Sequence, residues 1–373
     1  MNFDFTEDEE MLKALVERFA EDHYDLDRRR GYVASPFGFS PATWASLGEL
    51  GLISAPFSAD DGGFGLDATS VAIMFEAFGN GMMVEPLAEN ILLAGRLFAR
   101  IAHGPLRDEW LADIVSGARR IAFALAETGG RNGHLWVATQ AADAGDSASI
   151  SLSGAKSCVP SGAGVDGYII SARTAGSPAD ADGLAFYFVE AGAPGVQATA
   201  WRMADGSAAA SLVLDGASVP ATHRLNGTLA DVDAVAVLAS FARSAESLGI
   251  MQRMMDETLS YLRTREQFGA PLGSFQTIQH RMAAQYAAIE QARALINLAI
   301  VSTNDADFAR AVAGARAFIA PAAITLGHEM IQFHGGMGIT DELAIGHGHK
   351  RLMVYSRWPE DPDAALDRFA DLH

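Results

Sequence analysis

Cysteine is nearly absent from this chain. Cys158 is the one thiol in 373 residues, which excludes a disulfide framework and a cysteine-type zinc site. Basic residues are scarce as well: 27 Lys and Arg stand against 46 Asp and Glu, a formal net charge of −19. So acidic a balance argues against a general nucleic-acid or anionic-membrane surface. The apolar runs are broken by Gly, Arg or Glu before they reach the length of a bilayer span, so no membrane segment is expected. The opening stretch, MNFDFTEDEE, is acidic where a secretory leader would be basic and apolar. His347 and His349 are two apart, the wrong spacing for two ligands on one helical face. A His-Glu-x-x-His pattern is missing too, so no metal site is expected. There is no Gly-x-Ser-x-Gly nucleophile elbow. These absences fit a cytoplasmic enzyme or an inert soluble scaffold.

What is present falls into three textures, which predict domains over 1–118, 119–228 and 229–373. The first reads as helical. Thr6 and Glu9 form a capping-box pattern ahead of Met11, Leu12, Leu15 and Phe19. Ser40 is a candidate N-cap with Pro41 at the first helical position, and Trp44, Leu47 and Leu50 then share a face. The second shows short apolar alternations such as IAFALAE, DGYIISAR and GLAFYFVE between Gly, Asp, Ser and Pro clusters, the pattern of a compact β domain. In the third the helical period returns. Leu248, Met251, Met255, Leu259 and Leu262 mark one stripe. Ile278, Met282, Ile289, Ile296 and Ile300 mark the next, and Val312, Ile319, Leu326 and Met330 a third. Long helices with short turns predict an antiparallel bundle, and Pro321 predicts a kink or early break in the last of them.

Three stretches hold more polar or glycine residues than their structural roles require. TREQFGAPLGSFQTIQH (264–280) crowds Arg265, Gln267, Gln276 and Gln279 into one turn between helices. Arg263 and Arg265 suit a helix C-terminus, which is the simpler role, and a charge-assisted contact of Arg265 with a phosphate is the functional alternative. Phe268 and Phe275 are most simply core anchors. QFHGGMGIT (332–340) begins as a glycine C-cap but has more glycine than a cap needs, and glycine lets a backbone approach a ligand. FALAETGGRNG (123–133) ends a β run in a glycine-rich turn holding Glu127 and Arg131.

Taken together and in order, these stretches resemble the acyl-CoA dehydrogenase family over nearly the whole chain. WASLGELGLISAPFSADDGGFGLD is similar to its N-terminal helical segment. FALAETGGR and GAKSCVPSGAGVDGYIISAR are similar to its two flavin loops, and ADGSAAASLVLDGASVPATHRL to the end of its β domain. RTREQFGAPLGSFQTIQHRMA and IQFHGGMGITDE are similar to its C-terminal motifs. The resemblance implies an α+β multidomain fold: an N-terminal helical domain, a central β-barrel or sandwich domain and a C-terminal four-helix bundle. It also implies FAD bound between domains and a tetramer of paired subunits, homomeric or with a homologous chain.

By the same resemblance Arg265, Phe268 and Gln276 match the turn that reaches the neighbouring subunit's FAD. Gln332, Gly335 and Gly336 match the second segment that contacts the dinucleotide. Phe123, Leu125 and Ala126 match the loop beside the flavin ring, and Cys158, Val159, Pro160 and Ser161 the second flavin loop. There the family commonly places Trp and Thr, which this chain lacks at those four positions. The implied reaction is α,β-dehydrogenation of an acyl-CoA thioester to the 2-enoyl-CoA. A carboxylate takes the α proton, the β hydrogen leaves as hydride, and electrons pass to an electron-transfer flavoprotein.

The family's two positions for that carboxylate fall at Pro359 and Ala239. The nearest carboxylates are Glu360 and Glu246, which are therefore the candidate bases; Glu246 has an ion pair with Arg243 as its simpler role. SAESLG around Glu246 is similar to bacterial small-subunit members of the pimeloyl-CoA and steroid side-chain types, which places the chain in fatty acid or steroid side-chain catabolism. The alternative to an active dehydrogenase is a non-catalytic partner subunit of a hetero-oligomeric one.

Overall fold

A computed structural model describes residues 5–130, 136–143, 148–180 and 182–372. Helices come first: α1 (Glu7–His23), α2 (Leu26–Ala34), α3 (Pro41–Glu49), α4 (Ala68–Asn80), a π-helix over Leu87–Gly95, α5 (Arg96–Ile101) and α6 (Gly104–Ser116). Strands follow: β1 (Ile121–Ala124), β2 (Gln140–Asp143), β3 (Ser149–Pro160), β4 (Gly167–Arg173), β5 (Leu184–Glu190), β6 (Val196–Arg202), β7 (Ala208–Pro220) and β8 (Arg224–Leu225). The long helix α7 (Leu229–Thr264) leads to a small hairpin, β9 (Glu266–Gln267) and β10 (Ala270–Pro271). Then come α8 (Gln276–Ile300), α9 (Asp305–His334), α10 (Ala344–Tyr355) and α11 (Pro362–Asp371). The N-terminal helical, central β-sheet and C-terminal helical architecture expected from the sequence is the one observed. Two compact units gather these elements, one from residues 1–31, 67–83 and 240–373, the other from 32–66 and 84–239.

In the first unit α1 starts where its cap predicts. Thr6 accepts from the Glu9 amide and Glu9 answers the Thr6 amide at 2.6 Å. Its buried face is Val16, Phe19 and Ala20, whereas Met11 and Leu15 point outward. Of the expected stripe Phe19 is buried and Leu12 half-buried, so Met11 and Leu15 are the two positions that depart from it. Helices α8, α10 and α11 all pack on α9. Pro321 does not break α9, which runs unbroken to His334. The ring removes one amide donor, and it does so at an exposed position. Helices α4 and α7 cross in backbone contact. A Cβ on Gly79 would lie 2.0 Å from the Glu246 carbonyl oxygen, and one on Gly249 2.0 Å from that of Glu76. That crossing fixes the height of Glu246. By length and composition alone α7 and the stretch Asp305–Ile339 suffice to cross a bilayer. Their most apolar windows are 78% and 50% buried in the protein, as in core helices.

In the second unit Ser40 caps α3 with Pro41 at its first position, and Trp44 and Leu47 are buried. Leu50 falls at the C-cap and is exposed, so it leaves the predicted face. The strands form one mixed sheet in the order β6-β7-β3-β2-β4-β5-β8, with β1 also on β4. Strands β1 and β2 run parallel to β4; the other pairs are antiparallel. Inward residues of β4 and β5, such as Ile170 and Tyr187, share one core with Leu152, Val159 and Leu212 of β3 and β7. The sheet therefore curls over its own interior.

Candidate functional site

The expected cofactor residues fall into two groups, one in each unit. In the first unit α7 ends with the Arg265 amide donating to the Tyr261 carbonyl at 2.8 Å. The chain then reverses through β9 and β10, with Gln267 opposite Ala270. The two residues between them, Phe268 and Gly269, have φ of +55° and +80°, the backbone of a two-residue hairpin turn of mirror-image type. Gly269 adopts it freely. For Phe268 it costs on the order of 1–3 kcal/mol, and the ring is 94% exposed. It meets only the edge of Phe275, 6.3 Å away between centroids. The expectation that Phe268 anchors a core is therefore overturned: so short a hairpin has no interior to bury a ring. Gln267 and Gln279 donate to the Glu266 and Gly273 carbonyls at 2.9 Å and so serve their own turn. Arg265 and Gln276 lie exposed on the same turn.

The glycine segment closes this group. Helix α9 ends at Gly335, whose φ of 59° and ψ of −141° exclude a side chain comfortably. A Cβ at Gly335 or Gly336 would meet nothing within 4 Å, whereas one at Gly338 would lie 2.6 Å from the Ile331 carbonyl oxygen. Gly338 is thus a packing glycine, Gly335 a conformational one, and Gly336 has no internal reason to be glycine. Gln332 is exposed on the last turn of α9. The rings of Tyr261 and His334 stack at 4.4 Å and bring this segment to the end of α7. Together with Glu257, Thr264, Met337 and Leu343 they line a pocket of about 380 Å³.

In the second unit the two loops expected beside a flavin ring meet each other. Ala126 and Cys158 form an antiparallel bridge, and the Ser157 amide donates to the Ala126 carbonyl at 2.9 Å. Phe123 and Val159 are buried in the sheet, so only their backbone can serve a ligand. Leu125, Ala126, Cys158 and Pro160 are reachable. Ser161, with φ of +52°, is buried and held by its neighbours: its amide donates to the Ala208 carbonyl at 2.9 Å. Arg120 braces the next turn through the Ala163 and Gly164 carbonyls. Burial lowers its pKa to about 10, against the opposing pull of Asp166. Glu127 is more than part of a turn. It accepts from the Ala138 amide at 2.6 Å, from the Thr139 hydroxyl at 2.7 Å and from Lys156 Nζ at 2.6 Å. Burial raises its pKa, but Lys156 and these donors outweigh that and hold it below the usual carboxylate range. Burial draws Lys156 down to about 8 despite Glu127. Arg131 lies outside the described residues.

Neither candidate base stands open. Glu246 is 4% exposed. Its oxygens are engaged by Arg243, by Tyr355 at 2.5 Å and by Arg351 at 3.3 Å. The pair with Arg243 that the spacing suggested is present; the partners from α10 are not visible in the sequence, because nothing in HGHKRLMVYS points Arg351 or Tyr355 at α7. The Arg243 guanidinium also lies over the rings of Tyr355 and Trp358. Glu360 pairs with Arg368 at 2.5 Å, and its carbonyl accepts from Arg316 at 2.6 Å. Each carboxylate is held in an ion pair with arginine.

These residues fit one half of a flavin dinucleotide better than the other. A pyrophosphate asks for a cation and approachable backbone, and the exposed Arg265 and the open Gly335–Gly336 step supply both. At the ring end Cys158 has no aromatic face and Pro160 no hydroxyl, so the two tied loops offer backbone and small apolar groups.

The model of the acyl-CoA dehydrogenase N-terminal domain matches residues 6–118, and that of the C-terminal domain residues 239–358. Acyl-CoA dehydrogenase FadE27 of Mycobacterium tuberculosis is 29% identical over 350 residues, 91% of this chain and 90% of that one. The ChsE4-ChsE5 complex from Mycobacterium tuberculosis superposes with a TM-score of 0.87 at 27% identity, covering 100% of this chain and 98% of the other. Butyryl-CoA dehydrogenase from Megasphaera elsdenii shares the fold, with a TM-score of 0.88 at 21% identity over 100% and 99% of the two chains.

Proposed function

This chain belongs to the acyl-CoA dehydrogenase family, a family of oxidoreductases, and from that premise we propose that it serves in the FAD-dependent α,β-dehydrogenation of an acyl-CoA thioester to the 2-enoyl-CoA, with electrons passed on to an electron-transfer flavoprotein. Phe268 carries this reading. A ring 94% exposed on a strained turn has no use in an isolated chain, and it stands three residues from a free-standing guanidinium. Bound FAD supplies the acceptor for two electrons. Arg265 binds the pyrophosphate of the FAD held mainly by the partner subunit through a charge-assisted contact, Gly335 and Gly336 admit that dinucleotide to the backbone, and Gln276 and Gln332 offer amides. The loops Leu125–Ala126 and Cys158–Ser161 cover the ring of this chain's own FAD. Ile339, 74% exposed, continues the apolar character of the turn. A second chain therefore completes the site, in a homotetramer or a heterotetramer.

A second reading is favoured by the carboxylates. Ala239 and Pro359 occupy the family's base positions, and Glu246 and Glu360 are both held by arginine. On this reading the chain is a non-catalytic partner that completes a homologous chain's flavin site; ChsE4-ChsE5 is itself a complex. The experiment is a visible spectrum of the purified protein, followed by anaerobic bleaching with a panel of acyl-CoAs, alone and after coexpression with a homologous chain. Bleaching by the chain alone supports the first reading. A colourless chain that becomes active only with a partner supports the second.

A further inference from the structure

Strand β3 gains a residue opposite β7. Lys156 pairs with Leu212 and Val159 with Ala210, so three steps on one strand answer two on the other. Such a bulge re-aims the side chains beside it. Lys156 and Val159 are both buried, 1% and 0% exposed, while Ser157 and Cys158 are turned to meet Ala126. Beneath that meeting point the Lys156 ammonium donates to Glu127 at 2.6 Å, to the Ser171 hydroxyl on β4 at 2.9 Å and to the Leu125 carbonyl at 3.5 Å. One cation thus grips the residues on either side of Ala126. Glu127 in turn holds Thr139 at the start of β2.

Stability does not explain this arrangement. A buried ion pair can be exchanged for apolar residues of similar size with little loss or even a gain, and Leu212, which pairs with Lys156 across the strands, belongs to an apolar core that could take such residues. We propose that Lys156, through Glu127 and the Leu125 carbonyl, is a positioning residue that locks the Leu125–Ala126 loop onto the Cys158 bulge in the register a flavin ring requires. The inference rests on the flavin reading above, but the lock itself exists without flavin.

The test compares wild type, Lys156→Met and the double variant Lys156→Met with Glu127→Gln, which leaves no unpaired charge if the single variant folds poorly. Amide hydrogen exchange is followed first on protein free of FAD. Residues 125–130 and 157–161 should lose protection in both variants while the β4–β5 amides keep theirs. FAD titration should then show affinity about tenfold or more weaker, with the visible band of the bound flavin shifted toward that of free flavin. Unchanged exchange in these loops, or a double variant that binds FAD with wild-type affinity and spectrum, overturns the proposal. A wild type that takes up no FAD overturns the flavin reading instead, and the exchange comparison still decides whether the lock exists.

Discussion

Tyr261 and His334 stack face to face, 4.4 Å between ring centroids and 24° between planes. Through this contact the last turn of α7, which launches Arg265 and Phe268, and the last turn of α9, which launches Gly335, become one surface. Tyr261→Leu keeps most of the volume and removes the stack. It should cost about 0.5–1.5 kcal/mol in urea unfolding and weaken FAD binding as well. Loss of stability with unchanged FAD affinity would mean that the stack is only packing.

On the proposed reading, Arg265→Ala removes one charge-assisted contact to the pyrophosphate of the partner subunit's FAD. FAD affinity should fall roughly 10–150-fold, the equivalent of about 1.5–3 kcal/mol, with no change in thermal stability, because the side chain is exposed. Fluorescence titration with FAD reads this directly. An unchanged dissociation constant removes Arg265 from the site.

Glu246→Gln should be a stability variant before it is an activity variant. It removes the charge that Arg243 and Arg351, 2% and 4% exposed, share, and breaking a buried ion pair costs about 3–5 kcal/mol. Guanidinium unfolding measures it. Unchanged stability together with lost acyl-CoA bleaching would instead mark Glu246 as the proton acceptor.

Adjacent glycines should behave differently. Gly335→Ala forces a side chain into a conformation of φ 59° and ψ −141° and should cost on the order of 1–3 kcal/mol. Gly336→Ala meets nothing within the protein and should leave stability intact while weakening FAD binding. Equal FAD binding in Gly336→Ala and wild type would show that no ligand approaches there.

Acid should loosen the α9–α10 contact through His349. Burial, and then the neighbouring His328, lowers its pKa from 6.5; the rings stand 4.7 Å apart. Below pH 6.5 the unfolded chain takes up a proton that the folded chain refuses, so stability falls as pH drops from 6.5 toward the lower folded value. In His349→Gln that part of the pH dependence should vanish. An identical slope in the variant assigns it to other groups.

Local physics was legible in the sequence. The Thr6–Glu9 box, the Ser40 cap with Pro41, and the buried stripe of Leu248, Met251, Met255 and Leu262 in α7 follow from groups within a turn or two of each other. The glycine segment after α9 was also marked, since few helix ends need so many glycines. Pro321 does not end α9, because what a proline costs depends on how its site is packed, and here that site is exposed.

By itself the sequence determined the helical, β and helical textures, the caps, and the crowding of polar residues around Arg265. These depend on periodicity and short-range hydrogen bonding, which neighbours in the chain specify. The tertiary structure alone decided that Phe268 stands outside any core, that Glu246 is shared between two helices by Arg243, Arg351 and Tyr355, and that Lys156 sits under the meeting of two loops. The bonds from Arg351 and Tyr355 to Glu246 and from Lys156 to Glu127 join residues distant in the chain. Whether a carboxylate is free or bound, or a ring covered or bare, depends on which partner the fold brings to it.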